Sequence, residues 1–215
     1  MFTGLIQEKG YCSLPPPRLF IRCRMAASLS EGDSVAVNGV CLTVTKRNNQ
    51  GFSADVMPET LQRTTLADIR SGHTVNLERA LSANAQLDGH MVSGHVDETG
   101  TIRGIKKEKN AIVYTISCSQ QFTRFLAEKG SVAIDGISLT VTAVTSCTFS
   151  VSTIALTRAE TTLGDKKTGD RVNLEGDILA KYITTALEKN IPERGQQSSF
   201  QRTLFENGFL GDMNE

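Results

Sequence analysis

The chain carries one domain's worth of sequence twice. Residues 31–45, EGDSVAVNGVCLTVT, return at an offset of 97 positions as residues 128–142, EKGSVAIDGISLTVT. Val75-Asn76-Leu77-Glu78 returns at the same offset as Val172-Asn173-Leu174-Glu175, and Thr60 meets Thr157. Separated blocks keep one spacing only if the loops between them match in length, so duplication is the first constraint on the fold. The period is too long for a solenoid unit and suits a small domain. An opening segment is copied at an offset of 90: Gly4-Leu5-Ile6 and Gly10 align with Gly94-His95-Val96 and Gly100, which sets Thr3 against Ser93 and Leu5 against His95. Within the repeat, Cys41 is answered by Ser138 and Gly32 by Lys129.

In a chain of 215 residues this implies two lobes of about 90 residues each. Lobes of that size bury a modest core, so packing against each other or against another chain is expected. Lysine plus arginine and aspartate plus glutamate both count 23, leaving no basic surplus for nucleic acid or a membrane surface. A small neutral or weakly anionic ligand is the expected partner. No apolar run approaches the roughly 20 residues of a spanning helix. The start lacks a basic region followed by an apolar stretch, so a soluble, cytoplasmic protein is expected. Cys12, Cys23, Cys41, Cys118 and Cys147 scatter without a CxxC pair or a histidine at ligand spacing, which favours reduced thiols over disulfides or a metal site.

Both lobes read as β. Asn38-Gly39 lies between the runs 34–37 and 42–45, and Asp135-Gly136 between 132–134 and 139–142. Such a pair between β-branched runs is a strong hairpin signal. Further strands are expected at 19–24, 51–56, 74–79, 111–118, 149–154 and 171–175. Many short strands at regular intervals point to a small closed barrel in each lobe, since closure removes exposed edges. Short helical turns are expected at 61–69 and 120–128. After Asp177, an expected N-cap, Leu179, Tyr182, Ile183, Ala186 and Leu187 recur at helical spacing until Ile191-Pro192. That stripe suits either packing in an oligomer or docking on the second barrel. The fold class is all-β: two similar barrels in tandem plus a C-terminal α-helix. The expected domains are 1–90, 91–177, a helix at 178–190, and a polar tail at 191–215 that is poorly ordered.

Several motifs carry a family resemblance. They are Met1-Phe2-Thr3-Gly4-Leu5-Ile6, Asn38-Gly39-Val40-Cys41-Leu42-Thr43-Val44, Pro58-Glu59-Thr60-Leu61, Val75-Asn76-Leu77-Glu78-Arg79-Ala80, Gly89-His90-Met91-Val92-Ser93-Gly94-His95-Val96-Asp97 and Asp135-Gly136-Ile137-Ser138-Leu139-Thr140-Val141. Together, over about residues 1–190, they resemble the riboflavin synthase alpha chain family. The resemblance implies a homotrimer of chains, each with two six-stranded Greek-key lumazine-binding barrels and a C-terminal helix used for trimer contacts. It implies a transferase that converts two molecules of 6,7-dimethyl-8-ribityllumazine into riboflavin and 5-amino-6-ribitylaminouracil, the last step of riboflavin biosynthesis. No cofactor or metal is implied, and lumazine synthase is an implied partner. The active site would form where the first barrel of one chain meets the second barrel of a neighbour.

The chemistry needs few groups. The C7 methyl of the lumazine is acidic because its anion spreads charge into the pyrimidinedione. Holding two rings face to face replaces roughly 7 to 11 kcal/mol of association entropy in favourable cases. Proton transfer, activation of the acceptor ring and donors for developing negative charge remain. A non-catalytic lumazine or flavin carrier, like the antenna proteins of luminous bacteria, is the alternative, and an oligomeric scaffold is the plainest reading. Cys41, His95 and Lys129 favour the enzyme, since a carrier needs no proton shuttle.

Each candidate has a bland reading beside the functional one. Cys41 is a polarisable nucleophile or a small buried filler. The resemblance puts Ser34 beside it, although the copy Ser131 suits a structural role equally. His95 has the residue type of a general base near neutrality, or is a packing histidine. His90 is expected to orient its loop, and His73 to be solvated. Lys129 offsets anionic charge on the pyrimidinedione or is an exposed turn lysine. The resemblance lets Phe2 stack on a ring and sets Asp177 near the site, where helix capping explains it as well. Ligand grip in lobe one is expected from Gly4, Leu5, Ile6, Cys41, Leu42, Thr43, Asp55, Val56, Met57, Pro58, Glu59 and Thr60. In lobe two the set is Gly94, His95, Val96, Ser138, Leu139, Thr140, Ile154, Ala155, Leu156, Thr157, Arg158 and Ala159. Two departures from the family pattern stand out: Pro58-Glu59-Thr60-Leu61 becomes Ala155-Leu156-Thr157-Arg158, and the usual double glycine before His90 is Asp88-Gly89.

Overall fold

The computed structural model describes residues 1–190; the tail at 191–215, expected to be poorly ordered, lies outside the described residues. The first lobe is a closed antiparallel barrel of β1 (Glu8–Leu14), β2 (Arg18–Arg22), β3 (Ser34–Val37), β4 (Val40–Asn48), β5 (Gly51–Asp55) and β6 (Thr74–Arg79), in the order β1-β2-β5-β4-β3-β6. The second repeats it with β7 (Glu98–Glu108), β8 (Ala111–Ser117), β9 (Ser131–Ile134), β10 (Ile137–Val144), β11 (Thr148–Thr153) and β12 (Arg171–Gly176). The jump from β2 to β5 and the return from β3 to β6 make a Greek key of each barrel. Both barrels belong to one compact body, Met1–Lys181.

Alternation explains the barrels. Along β4, Val40, Leu42 and Val44 are buried while Cys41 and Thr43 are not. β10 repeats this with Ile137, Leu139 and Val141 inside and Ser138 and Thr140 outside. Apolar side chains such as Ile21, Phe52 and Leu77 fill the first interior, and Ile116, Phe149 and Leu174 the second. Each fully buried side chain of this size contributes about 1.5–3 kcal/mol of transfer free energy. With the interiors packed, binding chemistry is confined to the outer faces.

The two hairpins meet back to back. Asn38 (φ 47°) and Gly39 (φ 77°), like Asp135 (φ 45°) and Gly136 (φ 78°), both take positive φ, as a two-residue primed turn requires. A Cβ on Gly39 would lie 2.6 Å from Gly136 N, so this contact admits no side chain. Buried polar groups tie the turns together. Asn76 Nδ2 donates to Asp135 O (2.9 Å), and Asn173 Nδ2 donates to Asn38 O (2.8 Å). The Asn76 and Asn173 side-chain oxygens accept from Thr162 N–H and Thr65 N–H. The repeated Val-Asn-Leu-Glu motif therefore joins the lobes as well as forming strands.

Helical segments depart from expectation. The first helix, α1, spans Pro58–Arg63 and starts ahead of the expected 61–69, because Pro58 at its first turn is preset for helix entry. A 3-10 turn, Thr65–Asp68, follows. Only Gln120–Thr123 (α2) of the expected 120–128 is α-helical, capped by Ser119 Oγ accepting from Phe122 N–H at 3.0 Å. Ile154, expected at a strand end, instead caps α3 (Ala155–Glu160). Asp177 Oδ1 accepts from Leu179 N–H (2.8 Å) at the start of α4 (Ile178–Asn190). Among the described residues no helix is long and apolar enough to cross a membrane.

Candidate functional site

The opening segments exchange partners between lobes. Phe2 and Val92, equivalent in the repeat, form a bridge with each other: Phe2 N–H donates to Val92 O (2.7 Å) and Val92 N–H to Phe2 O (3.1 Å). Beyond this bridge each segment lands on the other barrel. Ser138 N–H donates to Gly4 O (2.8 Å), and Cys41 N–H donates to Gly94 O (2.9 Å). Ile6 packs against the core of the second barrel and Val96 against that of the first. The expected grouping is thereby corrected. Gly4, Leu5 and Ile6 serve the Ser138 strand, while Gly94, His95 and Val96 serve the Cys41 strand.

Both crossings demand glycine. Gly4 (φ 78°) and Gly94 (φ 83°) sit in the left-handed region, and an added Cβ would lie 2.6 Å from Ser138 Cβ or Cys41 Cβ respectively. The departure at Asp88-Gly89 is tolerated for the same kind of reason. A Cβ on Gly89 would meet Thr3 O at 2.0 Å, so glycine is required there, whereas Asp88 is exposed.

The first half-site gathers on the outer face of β4. Cys41 and Thr43 point outward, Ser34 pairs opposite Thr43 in the β3–β4 ladder, and Asp55 ends β5 alongside. Met57 caps α1, whose first turn holds Pro58, Glu59 and Thr60. Glu59 pairs with Arg63 across one helical turn, Nε to Oε1 at 3.2 Å. His95 arrives exposed from the other lobe, its N–H donating to Ser93 Oγ (3.2 Å). Cys41 Sγ makes no hydrogen bond among the described residues.

The second half-site has the same backbone and different chemistry. His90 Nδ1 lies 2.7 Å from Ser138 Oγ. His90 is only 8 % exposed, and burial lowers its pKa from 6.5 while nearby Asp177 opposes that shift. It is therefore a neutral imidazole at neutral pH, able to accept the Ser138 hydroxyl proton in the Nε2–H tautomer. Among the described residues its Nε2 is buried without a hydrogen-bond partner, an unsatisfied polar group of the kind that is rare in folded proteins. Thr140 is exposed beside Ser138, and Ile154, Ala155, Leu156, Thr157 and Ala159 follow in the α3 segment. Lys129 occupies a left-handed turn (φ 67°) where the other copy has Gly32 (φ 93°), and its N–H donates to Val141 O at 2.8 Å. A non-glycine residue in that conformation costs about 1–2 kcal/mol, a strain consistent with a functional side chain.

Several expected contacts are not available as side chains. Phe2 is 0 % exposed and packs with Ala36, Val92, Ala133 and Cys41, so it is interlobe core and no ring-stacking surface. Leu42, Leu139 and Val56 point into the barrels and offer only backbone. Arg158 Nε donates to Tyr114 OH (3.0 Å) and Nη2 to Gly164 O (3.3 Å), anchoring α3 to the barrel wall rather than facing a pocket. This explains the departure at Ala155-Leu156-Thr157-Arg158: the lobe has an arginine anchor where the first has Leu61 packed on its core. His90, expected to orient its loop, is brought to Ser138 across the lobe, a contact that its place in the Gly89-His90 motif does not disclose. Met57, Ile154 and Leu156 are exposed apolar residues at the two half-sites, Leu156 at 66 %.

Comparison with known proteins agrees with this duplication. A family model described as Lumazine binding domain matches residues 3–80 and again 93–177. The chain is 41 % identical over 215 residues to riboflavin synthase of Bacillus subtilis (strain 168), covering 97 % of this chain and 100 % of that protein. It is 46 % identical over 195 residues to riboflavin synthase of Actinobacillus pleuropneumoniae, covering 88 % and 91 %. The solved structure of LumP complexed with riboflavin superposes with a TM-score of 0.76 at 21 % identity, covering 82 % of this chain and 99 % of that one. LumP complexed with 6,7-dimethyl-8-(1'-D-ribityl) lumazine gives a TM-score of 0.73. At that identity the likeness concerns the fold alone.

Proposed function

The chain belongs to the riboflavin synthase family of tandem lumazine-binding domains, and from that premise we propose how its two half-sites divide the work. The chain is a riboflavin synthase, a transferase that takes two molecules of 6,7-dimethyl-8-ribityllumazine to riboflavin and 5-amino-6-ribitylaminouracil. One lumazine lies against Cys41, Thr43 and the Gly94-His95 segment. The other lies against Ser138, Thr140, Lys129 and the Gly4-Leu5 segment. Neutral His90 draws the proton of Ser138, which leaves that hydroxyl oxygen a better base or nucleophile toward its ring. Cys41 supplies a polarisable sulfur to the other ring, and His95 a proton acceptor of suitable range. Lys129 offsets negative charge gathering on the pyrimidinedione.

The observation that carries this reading is the exchange of segments. It delivers equivalent backbone to Cys41 and to Ser138, so similar rings are held similarly while the reacting side chains differ. We further propose that a half-site of each kind meets across a subunit boundary in a homotrimer acting in the cytoplasm. The exposed Leu179, Tyr182, Ile183 and Leu187 of α4 offer the contact, and a sedimentation mass of one chain would contradict it. Association with lumazine synthase remains a separate proposal, tested by co-sedimentation of the two proteins.

The alternative reading, a carrier, draws support from the fold shared with LumP. Incubation with 6,7-dimethyl-8-ribityllumazine and no added cofactor separates the two. Growth of flavin absorbance is expected, whereas a bound and unchanged lumazine would indicate the carrier.

A further inference from the structure

Two buried glutamates repeat each other's contacts. Glu78 Oε1 accepts from Thr3 N–H (2.6 Å) and Thr3 Oγ1–H (2.7 Å), and its Oε2 accepts from Gly4 N–H (3.0 Å). Glu175 Oε1 accepts from Ser93 N–H (2.6 Å) and Ser93 Oγ–H (2.7 Å), and its Oε2 from Gly94 N–H (3.0 Å). The hydroxyls extend each hold by one residue: Leu5 N–H donates to Thr3 Oγ1 and His95 N–H to Ser93 Oγ, both at 3.2 Å. Each carboxylate sits on the last strand of its own barrel, yet the segment it grips ends on the other barrel, at Ser138 or Cys41.

We propose that Glu78 and Glu175 are crosswise positioning residues: Glu175, on the second barrel, sets the Cys41 half-site of the first, and Glu78, on the first barrel, sets the Ser138 half-site of the second. This rests on the reading of Cys41 and Ser138 as the two half-sites. A carboxylate is needed because its two oxygens accept all three donors at once. A carboxamide offers one acceptor oxygen and turns an NH2 group against the glycine N–H.

The charge itself is not a source of stability. Burial raises both carboxyl groups from 4.5 despite the three hydrogen bonds, with the N-terminal amine near Glu78 and Lys181 near Glu175 pulling the other way. A raised carboxyl contributes most to folding below its unfolded value and loses that contribution as pH rises through the folded value. Ionisation therefore weighs against folding relative to the protonated form, while the accepted hydrogen bonds fix the Thr3-Gly4 and Ser93-Gly94 segments.

Cys41 reports on its half-site without substrate, because Gly94 lies directly over its Cβ. The test is the rate of iodoacetamide labelling at Cys41, resolved by peptide mass spectrometry, in the full chain and its Glu175→Gln, Glu78→Gln and Ser93→Ala variants. Losing a hydrogen bond to a charged group predicts labelling about tenfold faster in Glu175→Gln. Labelling stays within about twofold in Glu78→Gln, and buried Cys12 stays protected in both. Should Glu175→Gln fail to fold, Ser93→Ala carries the test, with about threefold faster labelling at Cys41. Equal acceleration in the two glutamate variants, no acceleration in either, or matching exposure of Cys12 would overturn the proposal. Absence of flavin formation by the wild-type chain would sink the synthase reading and leave the labelling result standing.

Discussion

The outer faces of the two barrels have nearly one backbone and two chemistries. At the first, Cys41 has no hydrogen-bonding partner for its sulfur among the described residues and stands beside an exposed His95. At the second, Ser138 is matched with buried His90, and a strained Lys129 replaces a glycine. Duplication supplied equivalent backbone at the two faces, so under the function proposed above the binding of two copies of one ligand needs no further invention. What differs is which group can give, take or share an electron pair. Under the proposed function, shape recognition resides in what the copies keep, and reaction chemistry in what they do not.

The largest effect is expected from erasing that difference. Cys41→Ser removes the sulfur while keeping the fold, and turnover should fall about 1,000-fold, with lumazine affinity within a few-fold; comparable turnover in stopped-flow assays would remove Cys41 from the chemistry. His95→Ala is expected to cost about 100-fold in turnover, and a wild-type rate would make it a packing residue.

His90→Asn tests the other half-site, with an expected loss of about 100-fold in kcat. Its pH dependence is the sharper readout. Because burial places the His90 pKa below 6.5, activity that needs the neutral ring is present above that value and is lost as pH falls through the lowered one. Its contribution to folding stability follows the same sign. In His90→Asn that acid limb should vanish from the rate profile; its survival would assign the limb elsewhere.

The smallest effect separates strain from function. Lys129→Gly should raise unfolding free energy by about 1 kcal/mol, by relieving the left-handed turn, while weakening lumazine binding a few-fold. A variant that gained stability and lost no affinity would mark Lys129 as an ordinary turn residue.

Much of the fold was legible in sequence because it is local. Asn38-Gly39 and Asp135-Gly136 declare their hairpins through φ, and the alternation along β4 and β10 declares which side chains face out. The exchange between lobes was not legible. Aligning Gly4 with Gly94 shows that the segments are equivalent but carries no information on which barrel each one meets. Phe2 misled for the same reason, since an aromatic residue at a terminus reads as exposed until its bridge to Val92 is seen. Arg158 belongs with these cases, because its partner Tyr114 lies on another strand.

The most direct measurement is a calorimetric titration of the wild-type chain and Cys41→Ser with a ribityllumazine that lacks the reactive C7 methyl and so binds without turning over. The expected result is one analogue on each barrel, with unequal affinities, and a change confined to one of them in the variant. A single site per chain, or two sites that respond alike to Cys41→Ser, would contradict the division of the molecule into unequal halves.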